Sequence, residues 1–383
     1  MSAIDPQECT RVMVQMSWKV FRALLSPSNY ATGAVLQERA DLLRLYILTT
    51  ARQTWPKFDP MPEDHLDMPS HEEQRTIVDE RVYMETVSLF SKWLKERPPP
   101  LPPASPKAPV SEEVRAEAAA KRAVEMTAAQ RRAFGFELSV GPSSAGAGAG
   151  DGVFLSGEAA PGSVIAFFPG VTFEFHDILM LPGGTRFFQG NENLMARYDK
   201  ALIDSSPTAL KLLPHEALDN PLNVAHMTNH PPRGARPNVV PAPIEFNRTV
   251  PRELVAALPN VSYFYSSPKQ RALLEGRSGD GGKADAPIMT TDGMQAPSVQ
   301  PKQQARTSQR RGLADWFRAS LADGIRPPEP DDGRPLKGIA LVATQPLKDQ
   351  ELFLNYRLNP QNENPEWYVP VDLDEVKRRW DLS

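Results

Sequence analysis

The chain has 383 residues, 43 Lys and Arg against 47 Asp and Glu, and a formal charge of −4. That length suggests about two domains, and 40% hydrophobic against 23% charged residues supports a packed core and excludes wholesale disorder. The near-neutral balance argues against a broadly basic nucleic-acid binder, and the single cysteine, Cys9, excludes a disulfide framework or a cysteine zinc cluster.

Proline is abundant, 39 residues, about twice the ordinary share, so long irregular stretches are expected. No apolar run approaches the roughly 18 residues of a membrane span. The N-terminus has an early acid, Asp5, and Pro6 in place of a signal-peptide core. A soluble intracellular protein, nuclear or cytoplasmic, is the expectation.

Residues 1–96 read as a small helical bundle. A first helix from about Pro6 to Leu25 carries Val12, Met16, Val20 and Leu24 one turn apart. A second, from about Val35 to Thr50, carries Leu36, Leu43, Leu45 and Leu48. A third, from about His71 to Lys95, has a stripe of Ile77, Val78, Val82, Val87, Phe90, Trp93 and Leu94. No chemistry is legible in them, and a packing or docking role follows. Residues 97–110 form a proline-rich linker, which cannot continue a helix because proline lacks the N–H and clashes with the preceding turn. It favours polyproline II as a stiff spacer, and it also fits the pattern of an SH3 or WW ligand. Ser111 then opens a connecting helix over 111–133, with Glu112 and Glu113 where the helix dipole favours them.

Over 134–358 the pattern changes to short β-branched runs between turn signals: Phe136–Val140, Val153–Leu155, Ser163–Phe168, Leu202–Asp204, Val261–Tyr265, Gly338–Thr344 and Leu352–Tyr356. These predict a β-rich domain and, with the helices, an α+β fold. Residues 266–335 interrupt it. Gly276 to Gln309 has the composition of disorder, Leu313 to Leu321 of one short helix, and the whole reads as a solvated insertion at a hairpin tip. Residues 359–383 form a C-terminal tail.

Four patches in this domain bear on function. Gly148-Ala-Gly150-Asp-Gly152-Val-Phe154 lets backbone approach a ligand closely, but precedes a strand rather than the helix of a dinucleotide fold. Pro161 to Gly170 is a strand ended by a Pro-Gly turn. Asn220 to Val239 crowds Asn, His and Pro into an apolar frame. His226 and His230 are four apart, but Pro231 and Pro232 deny them a shared helical face, so no metal is expected. Pro346 to Tyr356 is a turn followed by an apolar run ending in tyrosine.

In this order the patches resemble the SET-domain family of protein methyltransferases. Gly150-Asp-Gly152 is similar to the family's Gly-x-Gly motif, and Ser163–Gly170 to the strand before its Tyr/Phe-x-Gly turn. Leu202-Ile-Asp204 is similar to the strand preceding its signature. Asn223-x-Ala-x-x-x-Asn229-His230 with Pro237-Asn238 resembles its Asn-His-Ser…Pro-Asn segment. Gly338–Thr344, Asp349-Gln-Glu351-Leu and Asn355-Tyr356 resemble its Gly-Glu-Glu-Leu…Asp-Tyr end. Asn220-Pro-Leu-Asn-Val224, Leu258-Pro-Asn260 and Glu351-Leu-Phe…Asn355-Tyr356 point to the SET domain-containing protein 9 subgroup. Pro231, His226 and Asn355 depart from the family pattern, and the family's zinc-binding cysteines are absent.

The resemblance implies a SET domain threaded by a pseudoknot, S-adenosyl-L-methionine as cofactor, and a protein lysine as substrate. It implies that the backbone of Gly150 and Gly152 contacts the cofactor. The Asn229 side chain and His230 backbone hold its polar tail and adenine. Tyr356 is the catalytic tyrosine and borders the cofactor, and Tyr263 or Tyr265 is a second channel aromatic. Without a zinc site the tail must close the substrate channel, with Trp367 and Tyr368 as its candidates. The other reading of the same residues is a SET-fold interaction module that transfers no methyl group.

Overall fold

The structure, a computed structural model, describes residues 33–55, 69–99, 112–146, 148–181, 187–188, 191–247, 249–263, 289–290, 334–360 and 364–379. The helix expected over Pro6–Leu25, Cys9, the linker beyond residue 99, Tyr265 and nearly all of the 266–335 insertion lie outside these residues.

Helix α1 spans Gly33–Thr54, α2 His71–Glu96 and α3 Glu112–Phe134. A capping box starts α2: the Ser70 hydroxyl accepts from Glu73 N, and the Glu73 carboxylate accepts from Ser70 N. Arg97 ends it in an extended conformation, as a residue before proline prefers. The α2 stripe Val78, Val82, Leu89, Phe90 and Trp93 is buried. α3 ends at Gly135, whose φ of +83° suits a glycine helix stop.

The strands run, in chain order, β1 (Phe136–Pro142), β2 (Asp151–Ala159), β3 (Val164–Phe167), β4 (Gly170–Phe173), β5 (Leu194–Ala196), β6 (Leu202–Asp204), β7 (Val239–Phe246), β8 (Asn260–Ser262), β9 (Met289–Thr290), β10 (Leu336–Ala343) and β11 (Leu347–Glu351). They form three small sheets ordered β1-β2-β11, β3-β10-β7 and β8-β4-β6-β5-β9. The first two are antiparallel. The third adds parallel pairs at β4–β8 and β5–β9. A short helix, α4 (Leu373–Arg379), lies in the tail. The fold is mixed α+β, and among the described residues no helix is long and apolar enough to cross a membrane.

Three local differences from the sequence expectation have physical reasons. Strand β7 contains Pro241 and Pro243, but beyond a bridge at Val239 it pairs on one side alone, with β10, and an edge strand tolerates proline. The turn expected before Glu351 is a strand with a bulge: Asp349 adopts φ +43°, and its carboxylate accepts from Gly157 N at 2.8 Å. The strand expected over Leu352–Tyr356 is reduced to single bridges, Asn229 with Phe353 and Val239 with Leu354.

One hydrophobic core joins the helices to the first two sheets. It contains Leu42, Leu45 and Leu48 of α1, Val82 and Phe90 of α2, Val153 and Leu155 of β2, all of β3, and Ile339 to Ala343 of β10. The Phe90 ring meets Phe167 edge to face, centroids 4.9 Å apart. Residue 96, expected to close a separate bundle, is therefore not a boundary in packing: α1 and α2 cover a sheet whose β3 residues are all buried. Gly162 shows how closely they meet. A Cβ there would lie 2.1 Å from the Leu48 carbonyl oxygen, and its φ of +77° already requires glycine. A second cluster, around Phe173, Phe187, Phe188 and Leu194, fills the third sheet.

Candidate functional site

The segment after β11 is gripped from both sides. Leu352 N donates to Val153 O of β2 at 2.7 Å, and Leu354 N donates to Asn229 O at 2.9 Å. Asn238 holds the other side. Its Nδ2 donates to Glu351 O at 2.7 Å, its Oδ1 accepts from Phe353 N at 2.7 Å, and its own N donates to Phe353 O at 3.1 Å. Residues 228–239 thus wrap the segment that carries Tyr356.

This wrapping brings Gly152, Asn229, His230, Glu351 and Tyr356 together. Asn229 Nδ2 donates to Asp151 O at 2.9 Å. A Cβ on Gly152 would lie 3.3 Å from that Nδ2 and 2.1 Å from Glu351 Oε1. The space a side chain would take there is filled by the Glu351 carboxylate, so the glycine lets strand and carboxylate meet closely. Gly150 has φ +68°, and its carbonyl accepts from Ser143 N at 2.9 Å, closing the 143–150 loop. The buried Glu351 carboxylate fastens the same loop, accepting from Ser143 Oγ at 2.6 Å, Ser144 N at 2.7 Å and Ser144 Oγ at 2.5 Å.

The Tyr356 phenol donates to Thr228 O at 3.0 Å, and burial pushes its pKa up to about 12. Its backbone N donates to His230 Nδ1 at 3.3 Å, while His230 Nε2 lies 2.8 Å from Val369 O. With a donor at one nitrogen and a carbonyl at the other, the ring is the neutral Nε2–H tautomer, and burial lowers its pKa. The tail supplies aromatic cover. Trp367 meets Tyr356 at 83° with centroids 6.1 Å apart, and Tyr368 packs on His230 at 4.7 Å. The Tyr368 hydroxyl accepts from Leu358 N at 3.0 Å. His226 is also held neutral, its pKa lowered to about 4 by burial, and its Nδ1 has no hydrogen-bond partner among the described residues.

The other sequence candidates fall elsewhere. Tyr263 stacks on Phe173 with centroids 4.6 Å apart in the second cluster, whereas Tyr356 packs against the first. Tyr265 is outside the described residues. Among the described residues no three His, Cys, Asp or Glu side chains converge as a metal site. Two features lay beyond the sequence reading: the serine clasp on Glu351, and the buried surroundings of Arg357. Ser143 and Ser144 beside the Gly/Ala run read locally as loop, and an arginine after a strand reads as solvated.

The site is therefore polar in hydrogen bonds and uncharged at Tyr356. A neutral phenol, a neutral imidazole and an indole surround it, and both His230 nitrogens are engaged. Such a lining disfavours an ammonium and favours a neutral amine. The Glu351 carboxylate of the same cluster is turned to Ser143 and Ser144 on the Gly152 side. No family model, no curated protein and no solved structure matches this chain.

Proposed function

We propose that this chain is an S-adenosyl-L-methionine-dependent protein-lysine N-methyltransferase built on a SET-type fold with a threaded C-terminal segment. One observation supports this above others: a half-buried, uncharged Tyr356 is held in a segment wrapped by 228–239, the same residues that bring Asn229 beside Gly152.

The cofactor would be held at the backbone of Gly150, where nothing lies within 4 Å of the place a side chain would take, and at Gly152 beside the Asn229 amide. When bound, S-adenosyl-L-methionine supplies a methyl group activated by a sulfonium. The chain's own residues do the remaining work. The lining of Tyr356, Trp367 and His230 lowers the pKa of an entering lysine from its usual value of about 10.4, and the proton leaves to solvent. The Tyr356 hydroxyl, fixed by Thr228 O, accepts from the neutral amine and aligns its lone pair. Orientation at about 3–3.5 Å is the main contribution such a site makes. The tail would cover the channel where a zinc module is absent, with Tyr368 packed on His230 and the half-exposed Trp367 against Tyr356.

Thermal shift of the purified chain with S-adenosyl-L-methionine tests the reading. Ligand at about 100 times its dissociation constant is expected to stabilise the fold by about 2.7 kcal/mol. Asn229→Ala is expected to lose that gain. Tyr356→Phe keeps binding and loses methyl transfer to a lysine-containing protein. Folded wild type that gains nothing from the donor leaves a binding module without its cofactor, and the methyltransferase reading is then abandoned.

A further inference from the structure

We infer that Asp41 of helix α1 is a positioning residue for Tyr356, acting through Arg357, and that α1 is thereby part of the site rather than a module joined to it. This rests on the reading of Tyr356 above, since only that reading makes its placement matter for turnover.

Arg357 directly follows Tyr356. Its φ is +54°, a left-handed conformation that a residue with a side chain seldom adopts unless its surroundings impose it. What imposes it is visible. The side chain runs inward and is only 6% exposed. Its guanidinium meets Asp41 with both prongs, Nη1 to Oδ2 at 2.5 Å and Nη2 to Oδ1 at 2.7 Å. Glu375 of α4 adds an ion pair, Oε1 lying 2.6 Å from Nε. The Tyr198 hydroxyl donates to the same Asp41 carboxylate. Burial opposes the charge on Arg357, but Asp41, Glu375 and Tyr198 outweigh it and keep the guanidinium protonated.

Three segments remote in sequence thus converge on the residue after Tyr356. A buried ion pair is a weak means of stabilising a core, since apolar side chains of similar volume do as well. Its planar fork is a strong means of fixing geometry. The geometry fixed here is one peptide away from two demanding bonds: Tyr356 N to His230 Nδ1, and Tyr356 hydroxyl to Thr228 O. Helix α1 holds one jaw of the clamp and the tail holds the other.

The test uses the full chain labelled with 3-fluorotyrosine, the Tyr356 fluorine resonance being identified by its loss in Tyr356→Phe. Asp41→Asn and Arg357→Lys are expected to shift or split that resonance while far-UV circular dichroism stays unchanged. Leu48→Ala weakens the same helix without touching the clamp, and leaves the resonance in place. In methyl transfer, Asp41→Asn is expected to lower kcat about a hundredfold with donor affinity kept, the signature of misplacement rather than lost binding. Wild type that binds no donor removes the functional reading but not the resonance test. A folded Asp41→Asn chain whose Tyr356 resonance does not move overturns the positioning role. If that variant fails to fold, Tyr198→Phe, which removes a single hydroxyl from Asp41, is read in the same way.

Discussion

His226 and His230 differ in what their nitrogens meet, and both resist protonation because they are buried. His226 has a folded pKa of about 4 against about 6.5 when unfolded, because burial disfavours its cation. The unfolded chain takes up the proton first, so stability is full above about pH 6.5 and declines as pH falls toward 4. Between pH 7 and pH 5 this one residue is expected to cost about 2 kcal/mol. Urea unfolding of wild type and His226→Gln at both pH values isolates it: the variant should show that much less acid sensitivity. His230 shifts in the same direction, and its protonation would put a proton on the nitrogen that accepts from Tyr356 N. Gly152 supports a second expectation at this scale. A Cβ 2.1 Å from Glu351 Oε1 displaces a carboxylate held by three donors on Ser143 and Ser144. Gly152→Ala should therefore destabilise by about 1–3 kcal/mol and speed amide exchange across 143–150.

Elements were legible where periodicity or length is strong. The α2 stripe recurs over about five turns and Ser70 and Glu73 mark the start, so its bounds follow within a residue or two. Leu202–Asp204 is recognisable as a short buried run. β4 and β5, of four and three residues, have no period to read, and the prolines of β7 argue for loop unless its edge position is known. The most informative single residue between elements is Gly162. Its absent side chain admits the Leu48 carbonyl, and that contact seats α1 on the turn before β3. Gly162→Ala brings backbone against backbone at a φ of +77°, so neither side can yield by a rotamer change. A loss of about 3 kcal/mol or more is expected in denaturant unfolding, larger than for Gly152→Ala, where a side chain can move.

At the scale of the whole molecule, the site was partly legible and its support was not. Asn229, His230 and Tyr356 stand in short local patterns, and the structure brings them together. The Arg357–Asp41 pair joins residues 316 apart, and no local pattern records such a pairing. The same distance explains why the N-terminal helices read as a separate bundle: an amphipathic stripe shows that a helix buries one face, but not against what. Here the face lies on the sheets. Leu42, Leu45, Leu48, Val78, Val82, Leu89 and Phe90 belong to the core that contains Phe167 and Leu354. At about 1.5–3 kcal/mol for each large side chain, their loss outweighs the net stability of about 5–15 kcal/mol typical of a domain. A chain lacking residues 1–110 is therefore expected to lose cooperative unfolding and near-UV circular dichroism, with apolar surface open to dye. An independently docked bundle would instead leave a truncated chain that melts as sharply as the full one, and would keep the Tyr356 resonance where it was. Because α1 carries Asp41 as well as its core leucines, removing it takes away both the cover of the sheet and one jaw of the clamp beside Tyr356.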